Sequence, residues 1–294
     1  MRYTLRQLEV FVEVARTESV SRAATALGMS QSAASGALLE LERQFDARLF
    51  DRAGKRLRLS ALGRSARPRA EALLALGRDL EGALANRQEV VSLRVGATLT
   101  IGNYLAVPLL ARFRRESPGA EPTLVIANTE EIARQVANFE LDVALIEGEI
   151  SHPELELTPW REDRLVVFCA ATDRLARKRT LTDEDLRRAP WIVRERGSGT
   201  RQAFDRALHG LLPELTIALT LQQTEAIKGA VEAGLGVGCL SELALADAFK
   251  RGTLRPCRVP QRDFRRQFFF LQRKQKFPSP AVTRWLALCR ANAG

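Results

Sequence analysis

The sequence has few of the side chains from which metal sites and disulfide frameworks are built. In 294 residues it contains 4 cysteines and 2 histidines. The cysteines lie far apart in the sequence, without any CxxC spacing, at Cys169, Cys239, Cys257 and Cys289. Beside them, only His152 and His209 offer a nitrogen ligand. We therefore expect no metal site and no cofactor, and we expect the cysteines to be reduced and buried.

Long apolar runs are also missing. No run approaches the roughly 20 residues that a helix needs to cross a bilayer. The first residues lead directly into an amphipathic helix that contains Glu9 and Glu13, which is unlike a signal peptide. We expect a cytoplasmic protein with no membrane partner.

Two motifs that resemble enzyme sites occur in the wrong context. The glycines of residues 234–238, GLGVG, follow a helix and enter a strand, whereas a dinucleotide fingerprint needs the strand first. Ser198 lies in GSGT rather than in GxSxG, and neither histidine has an evident partner for a catalytic triad. We expect no catalytic residues and no enzymatic activity.

Residues 19–43 carry the strongest local signal in the chain. Ser19 or Ser21 suits the start of a short helix, and Gly28 stands where that helix must turn. Ser30 suits the start of a second helix. The apolar face of this second helix would consist of Ala34, Ala37, Leu38 and Leu41. The pattern predicts a helix-turn-helix, whose second helix enters a DNA major groove; an ordinary helical hairpin is the alternative.

A basic segment follows the second helix. Residues 48–58 contain five basic residues and one acid, Asp51. Ala53-Gly54 suits a turn, and residues 55–59 alternate between polar and apolar as a half-buried strand does. The pattern predicts a β-wing that presents basic residues to DNA, namely Arg52, Lys55, Arg56 and Arg58. A solvated charged face is the alternative, although the net charge of +10 favours a polyanionic partner.

The helix-turn-helix also predicts which side chains contact DNA. Opposite the apolar face of the second helix lie Ser32, Gly36 and Arg43, with Gln31 and Ser35 on its flanks. Ser30, at the start of this helix, is also expected among the DNA contacts. We expect Gln31, Ser32 and Ser35, near the N-terminal end, to approach base edges. Arg43 is expected among the DNA contacts, and the wing residues are expected to contact phosphates or a minor groove.

A long helix is predicted after the wing, and the pattern of predicted elements changes after it. Ser60 suits the start of a helix over residues 61–87, on which Leu73, Leu76 and Leu80 form a short apolar seam for dimerisation. From Val91 onward strands and helices alternate, which predicts parallel sheets with helices on both faces.

Three strand-to-helix turns in this second part are rich in hydroxyl groups and glycine, at residues 98–103, 197–200 and 222–225. Helix N-termini favour anions, and ligands of open α/β sheets bind beyond the carboxyl ends of strands. The candidate effector-binding residues are Thr98, Thr100, Gly102, Asn103, Glu147, Ser198, Gly199, Thr200 and Glu225. Thr98 and Thr100 at one helix start, with Ser198, Gly199 and Thr200 at another, would surround a compact oxyanion or carboxylate without needing a buried cation. Simple N-capping is the alternative for each turn, and a solvated loop position is the alternative for Glu147.

Several strings, in matching order and spacing, resemble the LysR-type transcriptional regulators. They are LRQLEVFVEVA, SRAATALGMSQSAAS, LE at 41–42, LFDR at 49–52 and LSALGR at 59–64. The resemblance covers essentially the whole chain and implies an α/β protein with an N-terminal winged helix-turn-helix, a long linker helix and a two-lobed, periplasmic-binding-protein-like effector domain. The implied domains are 1–60, 61–88 and 89–294, with lobe I at about 89–162 and 267–294 and lobe II at about 163–266. Chain crossings near 162–165 and 263–267 would form the hinge.

The same resemblance implies the function and the partners. We expect a homodimer or homotetramer that binds double-stranded promoter DNA, responds to a small-molecule effector and, if it is an activator, contacts RNA polymerase. The strings TIGNY, IEGE, RERGSGT and TEAIK are similar to the sulfur-metabolism branch of the family, which makes sulfite or another small oxyanion the first effector candidate and a carboxylate the second. Two alternatives remain: a solute-binding protein or enzyme of the two-lobed fold with an incidental basic N-terminus, or a DNA-binding protein with a vestigial cleft.

Overall fold

The computed structural model describes residues 2–53, 56–85, 92–274 and 278–292. The chain folds as two compact units, of which the first comprises residues 1–89 and 138–140 and the second comprises residues 90–137 and 141–294. Within the described ranges, no helix combines the length and the apolar character that crossing a membrane requires.

The N-terminal unit contains four helices and a two-stranded sheet in its described part. In chain order the elements are α1 (Leu5–Thr17), α2 (Val20–Ala26), α3 (Gln31–Gln44), β1 (Phe50–Ala53), β2 (Arg56–Leu59) and α4 (Ala61–Ala85). The first three helices begin at hydroxyl caps, since the side chains of Thr4, Ser19 and Ser30 each accept a hydrogen bond from a backbone N–H one turn later. Gly28 adopts a φ of 62° between α2 and α3, which is the left-handed conformation that glycine tolerates best.

The wing strands and α4 follow from local signals too. Strands β1 and β2 pair antiparallel from Phe50 with Leu59 to Ala53 with Arg56. The Ser60 hydroxyl accepts a hydrogen bond from the Gly63 N–H at 3.0 Å, so Ser60 caps α4. A Cβ at Gly63 would lie 2.1 Å from the Leu49 carbonyl oxygen, and this close approach requires glycine.

The second unit alternates strands and helices. Its first half contains β3 (Ser92–Thr98), α5 (Leu99–Ile101), which continues through a π-helical turn (Gly102–Ala106) into α6 (Val107–Glu116), β4 (Glu121–Ala127), α7 (Thr129–Ala137) and β5 (Val143–Glu147). Its middle contains β6 (Leu155–Ala170), α8 (Asp183–Arg188), β7 (Pro190–Arg194), α9 (Gly199–Ala207), β8 (Thr216–Leu221), α10 (Thr224–Glu232) and β9 (Val237–Ser241). The last elements are α11 (Glu242–Arg251), β10 (Leu254–Cys257), β11 (Arg265–Arg273) and α12 (Pro280–Ala291).

The strands form two lobes that share β6. The strand order is β4-β3-β5-β11-β6-β9-β7-β8, and β10 pairs with β6 beside this path. Strands β4, β3 and β5 are parallel to one another, and so are β8, β7 and β9. The prediction of wholly parallel sheets is wrong for β6, β10 and β11, which pair antiparallel. A strand that crosses between lobes and one that returns beside it must run in opposite directions.

The two crossings lie side by side. Strand β6 pairs with β11 up to Arg164 and Arg265, and from Leu165 onward it pairs with β9. The Leu165 N–H also donates a hydrogen bond of 2.9 Å to the Phe264 carbonyl oxygen. The junction between the lobes is therefore a pair of hydrogen-bonded segments, and it coincides with the crossings that the resemblance predicts as the hinge.

Each lobe has an apolar core on both faces of its sheet. In the first lobe Trp285 packs edge-on against Phe113, and in the second lobe Trp191 packs edge-on against Phe204. On the opposite faces, separate clusters form around Ile132 and Ile227. Helices cover both faces of both half-sheets, as the alternation of elements predicts.

All four cysteines are free and buried. Although Cys169 and Cys257 are distant in sequence, the pairing of β10 with β6 brings their sulfur atoms within 3.4 Å. A hydrogen bond donated by Cys257 lowers the pKa of the Cys169 thiol and raises that of Cys257 itself. Among the described residues, no three His, Cys, Asp or Glu side chains lie together in a way that could hold a metal ion.

Candidate DNA-binding and effector sites

The N-terminal end of α3 presents polar side chains to solvent. Gln31 and Ser32 are exposed and Ser35 is half-buried, while Ala34 and Leu38 on the other side enter the core of the unit. The division arises because residues three and four apart share one face of a helix. Ser30 is exposed as well, and its hydroxyl is 3.1 Å from the Ala33 N–H that it caps.

The basic residues of this unit differ in their surroundings. The Arg43 side chain is 80% exposed and forms an ion pair with Glu40 at 2.9 Å, which partly neutralises it. Lys55 lies outside the described residues. For Arg52 and Arg56 the structure describes the backbone position in the strand. Arg52 lies on β1 opposite Leu57, and Arg56 lies on β2 opposite Ala53.

The predicted dimerisation residues form an exposed apolar stripe on α4. The exposed fractions of Leu73, Leu76 and Leu80 are 40%, 43% and 61%. Beside the stripe, an apolar hollow of about 410 Å³ is lined by residues of α1, α3 and α4, among them Phe11, Leu41 and Leu73. Large aliphatic side chains at this exposure are typical of a surface that another chain covers.

A buried arginine stands at the centre of the second unit. Arg266 of β11 is 5% exposed, and its guanidinium reaches residues from several other elements. Its Nε lies 2.7 Å from Asp163 Oδ2, its Nη1 lies 2.9 Å from the Thr200 hydroxyl, and its Nη2 lies 2.9 Å from Glu147 Oε2. These contacts join β5, β6, α9 and β11 around one cation.

A buried cation therefore lies beside three of the candidate effector-binding residues, Thr100, Glu147 and Thr200, and the sequence pattern does not indicate it. Arg265 and Arg266 are adjacent in sequence, but their side chains are 76% and 2% exposed because successive residues of a strand point to opposite faces. The alternative of a solvated loop position for Glu147 is wrong, since this residue ends β5 and is 1% exposed.

Several predicted residues surround the guanidinium. The Thr100 hydroxyl accepts a hydrogen bond from Arg266 Nη2 at 3.5 Å, and the Thr200 hydroxyl donates to Glu147 Oε1 at 3.4 Å. The Thr98 hydroxyl accepts a hydrogen bond from the Glu147 backbone N–H at 3.2 Å. We call Thr100, Glu147, Asp163, Thr200 and Arg266 the hinge cluster.

A residue that the sequence did not single out connects the two lobes beside this cluster. The Thr129 hydroxyl at the start of α7 donates to the Glu147 carbonyl oxygen at 2.8 Å and accepts from the Gly199 N–H at 3.2 Å. A Cβ at Gly199 would lie 1.5 Å from the same Glu147 oxygen, so only glycine permits this approach. Thr129 begins a helix, as many hydroxyl residues do, and no local signal distinguishes it.

Two other predicted residues have structural roles in the described contacts. Ser198 is buried and caps α9, its hydroxyl accepting a hydrogen bond from the Arg201 N–H at 3.5 Å. Gly102 packs against Ile126, where a Cβ would be 2.8 Å from the nearest side-chain atom. For Ser198 the capping alternative therefore accounts for the observed contact.

Neither Asn103 nor Glu225 has a described hydrogen bond or ion pair with the hinge cluster. Asn103 is exposed and lines a hollow of about 430 Å³ together with Gln222 and Gln223. Glu225 accepts a hydrogen bond from the Tyr104 hydroxyl at 2.8 Å, a contact between the first lobe and α10. Burial and the neighbouring Glu225 carboxylate raise the pKa of the Tyr104 phenol, which keeps it protonated as the donor.

Two family models match the chain. The model described as "Bacterial regulatory helix-turn-helix protein, lysR family" matches residues 5–64, and the model described as "LysR substrate binding domain" matches residues 86–294. Together they span both units.

Curated and solved relatives agree with these matches. The chain is 42% identical over 289 residues to the "Uncharacterized HTH-type transcriptional regulator YeiE" of Escherichia coli, which covers 98% of both chains. It is similar in fold to a full-length OxyR variant from Pseudomonas aeruginosa, with a TM-score of 0.76 and 22% identity over 100% of this chain and 96% of that one. The regulatory domain of Synechocystis CcmR in complex with 2-PG has a TM-score of 0.64 and 27% identity over 69% of this chain and 97% of that one.

The hinge cluster predicts unequal roles for two adjacent arginines. Arg266→Met leaves Glu147 and Asp163 buried without their cation, which should lower the free energy of unfolding by about 3–5 kcal/mol. Arg265→Met removes an exposed side chain and should leave that free energy unchanged. Urea unfolding followed by tryptophan fluorescence reports on the second unit alone, since Trp160, Trp191 and Trp285 all belong to it. Equal losses in both variants would contradict the central role of Arg266.

Proposed function

The chain belongs to the LysR family of bacterial transcriptional regulators, and we propose that it controls promoters in response to a small anion bound at the hinge cluster. As a member of this family it is a DNA-binding regulator with an effector-binding domain rather than an enzyme. One observation carries the proposal of an anion. A buried guanidinium and two hydroxyl groups converge where both lobes meet, at Arg266, Thr100 and Thr200.

The proposed effector is sulfite or another compact oxyanion, with a small carboxylate as the second candidate. Arginine offers several N–H donors in one plane, and threonine hydroxyls add donors that rotate toward an oxygen. The first lobe supplies Thr100, the second supplies Thr200, and Arg266 lies at the crossing between them. An anion held by all three would stabilise one angle between the lobes over others. The complex of CcmR with 2-PG is a precedent, in a relative, for a small ligand on a domain of this fold.

The anion proposal predicts that both threonine hydroxyls are needed. Titration calorimetry of the full-length protein with sulfite, sulfate and small carboxylates should detect one binding site per chain for at least one of them. Thr100→Val and Thr200→Val keep the side-chain shape and remove the hydroxyl, so each should weaken that binding by about tenfold or more. The matched control is Thr220→Val on the exposed strand β8, which makes the same change away from the hinge cluster and should bind normally. Unchanged binding in both hinge variants would refute this site.

For DNA, we propose that the N-terminal end of α3 contacts bases, and that Arg43 near the C-terminal end of α3 and the wing contact phosphates. Gln31, Ser32 and Ser35 lie at the N-terminal end of α3, the end that helix-turn-helix proteins direct at base edges. Ser30, which caps this end of α3, belongs to the same proposed DNA contacts. The proposed phosphate contacts are Arg43, Arg52, Lys55 and Arg56.

These roles predict different losses on DNA. Genome-wide footprinting at native expression would first identify the operator. Arg52→Ala should then weaken binding to operator and unrelated DNA alike, and lower the slope of log affinity against log salt by up to about one unit. Gln31→Ala should instead reduce the preference for the operator and leave the salt slope unchanged. If Arg52→Ala changes neither affinity nor slope, the wing does not contact phosphates.

We propose that the regulator acts as a dimer or a tetramer assembled through α4. Two reading helices must reach half-sites separated by whole turns of DNA, and the exposed stripe of Leu73, Leu76 and Leu80 suits self-association. We also propose domain limits near residues 60 and 88 and lobe limits near residues 162 and 266. The proposed location is the cytoplasm, and the proposed further partner, for an activator, is RNA polymerase.

Disrupting the stripe should abolish tight operator binding. Leu76→Glu places a charge in the proposed interface and should shift the protein toward monomer in sedimentation velocity, with a loss of operator affinity of at least about a hundredfold. Arg78→Glu introduces the same side chain about 200° around the helix and should remain oligomeric. A monomeric wild-type protein that still protects a two-part operator would refute the proposal.

A further inference from the structure

The Glu147 carboxylate is incompletely satisfied by the protein. It is 1% exposed, and Oε1 receives one long hydrogen bond of 3.4 Å from the Thr200 hydroxyl. Oε2 lies 2.9 Å from Arg266 Nη2, but no described residue donates a hydrogen bond to it. An ionised carboxylate has about four acceptor positions, so several of those on Glu147 have no described donor.

The other acid of the hinge cluster is satisfied. Asp163 accepts a hydrogen bond from the Ser241 hydroxyl at 2.8 Å and another from Arg266 Nε at 2.7 Å. One guanidinium therefore stands between two buried carboxylates, of which Asp163 receives the better-directed bonds. The Glu147 carboxylate retains its capacity to accept.

The elements packed against Glu147 supply mainly hydroxyl groups. Thr129 comes from α7, Thr200 from α9, and Thr100 lies beside the guanidinium in the first lobe. The Cys239 thiol of β9 lies near Arg266 and is neutral, because burial raises its pKa. Among the described residues, Arg266 is the cation paired with Glu147, and Asp163 is the next acid beyond it.

This arrangement treats protonated and fully deprotonated anions differently. A fully deprotonated oxyanion has acceptor oxygens alone, and it would place one of them against a buried carboxylate that also only accepts. An anion that carries its own O–H can direct its charged oxygens at Arg266 and the threonine hydroxyls and donate the O–H to Glu147.

We propose that Glu147 makes the effector site selective for anions that carry a hydroxyl hydrogen, such as a hydrogen oxyanion or a hydroxycarboxylate, and excludes oxyanions without one. The inference rests on the proposed anion site and adds the chemical class of its ligand. In the binding step no covalent bond changes except that a deprotonated anion such as sulfite takes up one proton from solvent. That proton forms the hydrogen bond to Glu147.

The wild-type protein tests the proposal through its proton balance. Calorimetric titration of the full-length protein with sulfite, in buffers of different ionisation enthalpy, should show uptake of about one proton where the free anion is fully deprotonated, with affinity falling about tenfold per pH unit there. Sulfate, which carries no proton near neutral pH, should bind at least about a hundredfold more weakly. Inorganic phosphate and a hydroxycarboxylate such as lactate complete the series.

A conservative variant should reverse the selectivity. Glu147→Gln keeps the shape and replaces an acceptor by an amide that also donates, so sulfate should gain at least about tenfold in affinity and the proton uptake should disappear. Glu149→Gln makes the same change two residues away on a side chain that is 74% exposed, and it should behave as wild type. Tryptophan fluorescence would show whether each variant is folded.

The outcomes separate the two levels of inference. If an anion binds the wild type without proton uptake and without discrimination against sulfate, the role of Glu147 is refuted and the anion site stands. If no anion in the series binds either the wild type or Glu147→Gln, both are refuted. If Glu147→Gln does not fold, the wild-type proton balance alone decides.

Discussion

The arrangement of the second unit depends on the ion pairs and hydrogen bonds of the Arg266 guanidinium. The guanidinium lies where β6 and β11 cross between the lobes, and it bonds Asp163 on the neighbouring strand and Thr200 at the start of α9. Burying a full positive charge away from water costs free energy. The guanidinium is therefore stable there only because two carboxylates and two hydroxyls replace the lost water. The lobes therefore meet at a polar centre between apolar cores.

If the proposed anion binds at this polar centre, its binding is coupled to the angle between the lobes. Groups in the hinge cluster come from both lobes, so a ligand that bonds to them interacts differently with each angle between the lobes. The same contacts that hold the unliganded lobes together, such as Thr129 with Gly199, limit how the lobes can move. Effector binding and the angle between the lobes would then depend on the same residues, and Glu147 would determine which ligand binds.

The limits of sequence-based prediction are visible in particular residues. Thr100 and Thr200 stand out because each follows a strand and begins a helix, and the fold brings both to Arg266. Glu225 stands out for the same reason, yet its neighbour is Tyr104. The sequence alone does not indicate the role of Arg266, because a buried arginine has no local signature. Its burial depends on partners 66, 103 and 119 residues away in sequence, the last value being the separation from Glu147 (266 − 147).

The sequence by itself determined the helix-turn-helix, the family, the long helix and the alternation of strands and helices in the second unit, but not α8 or β10. Caps, glycine turns and hydrophobic periodicity act over a few residues, and short-range patterns can be read directly. Only the tertiary structure decided that β6, β10 and β11 run antiparallel to their neighbours, that Arg266 points inward, and which hydroxyls meet it. Those features depend on strand register and on groups brought together from distant parts of the chain, where burial of one charge is possible only in the presence of the others.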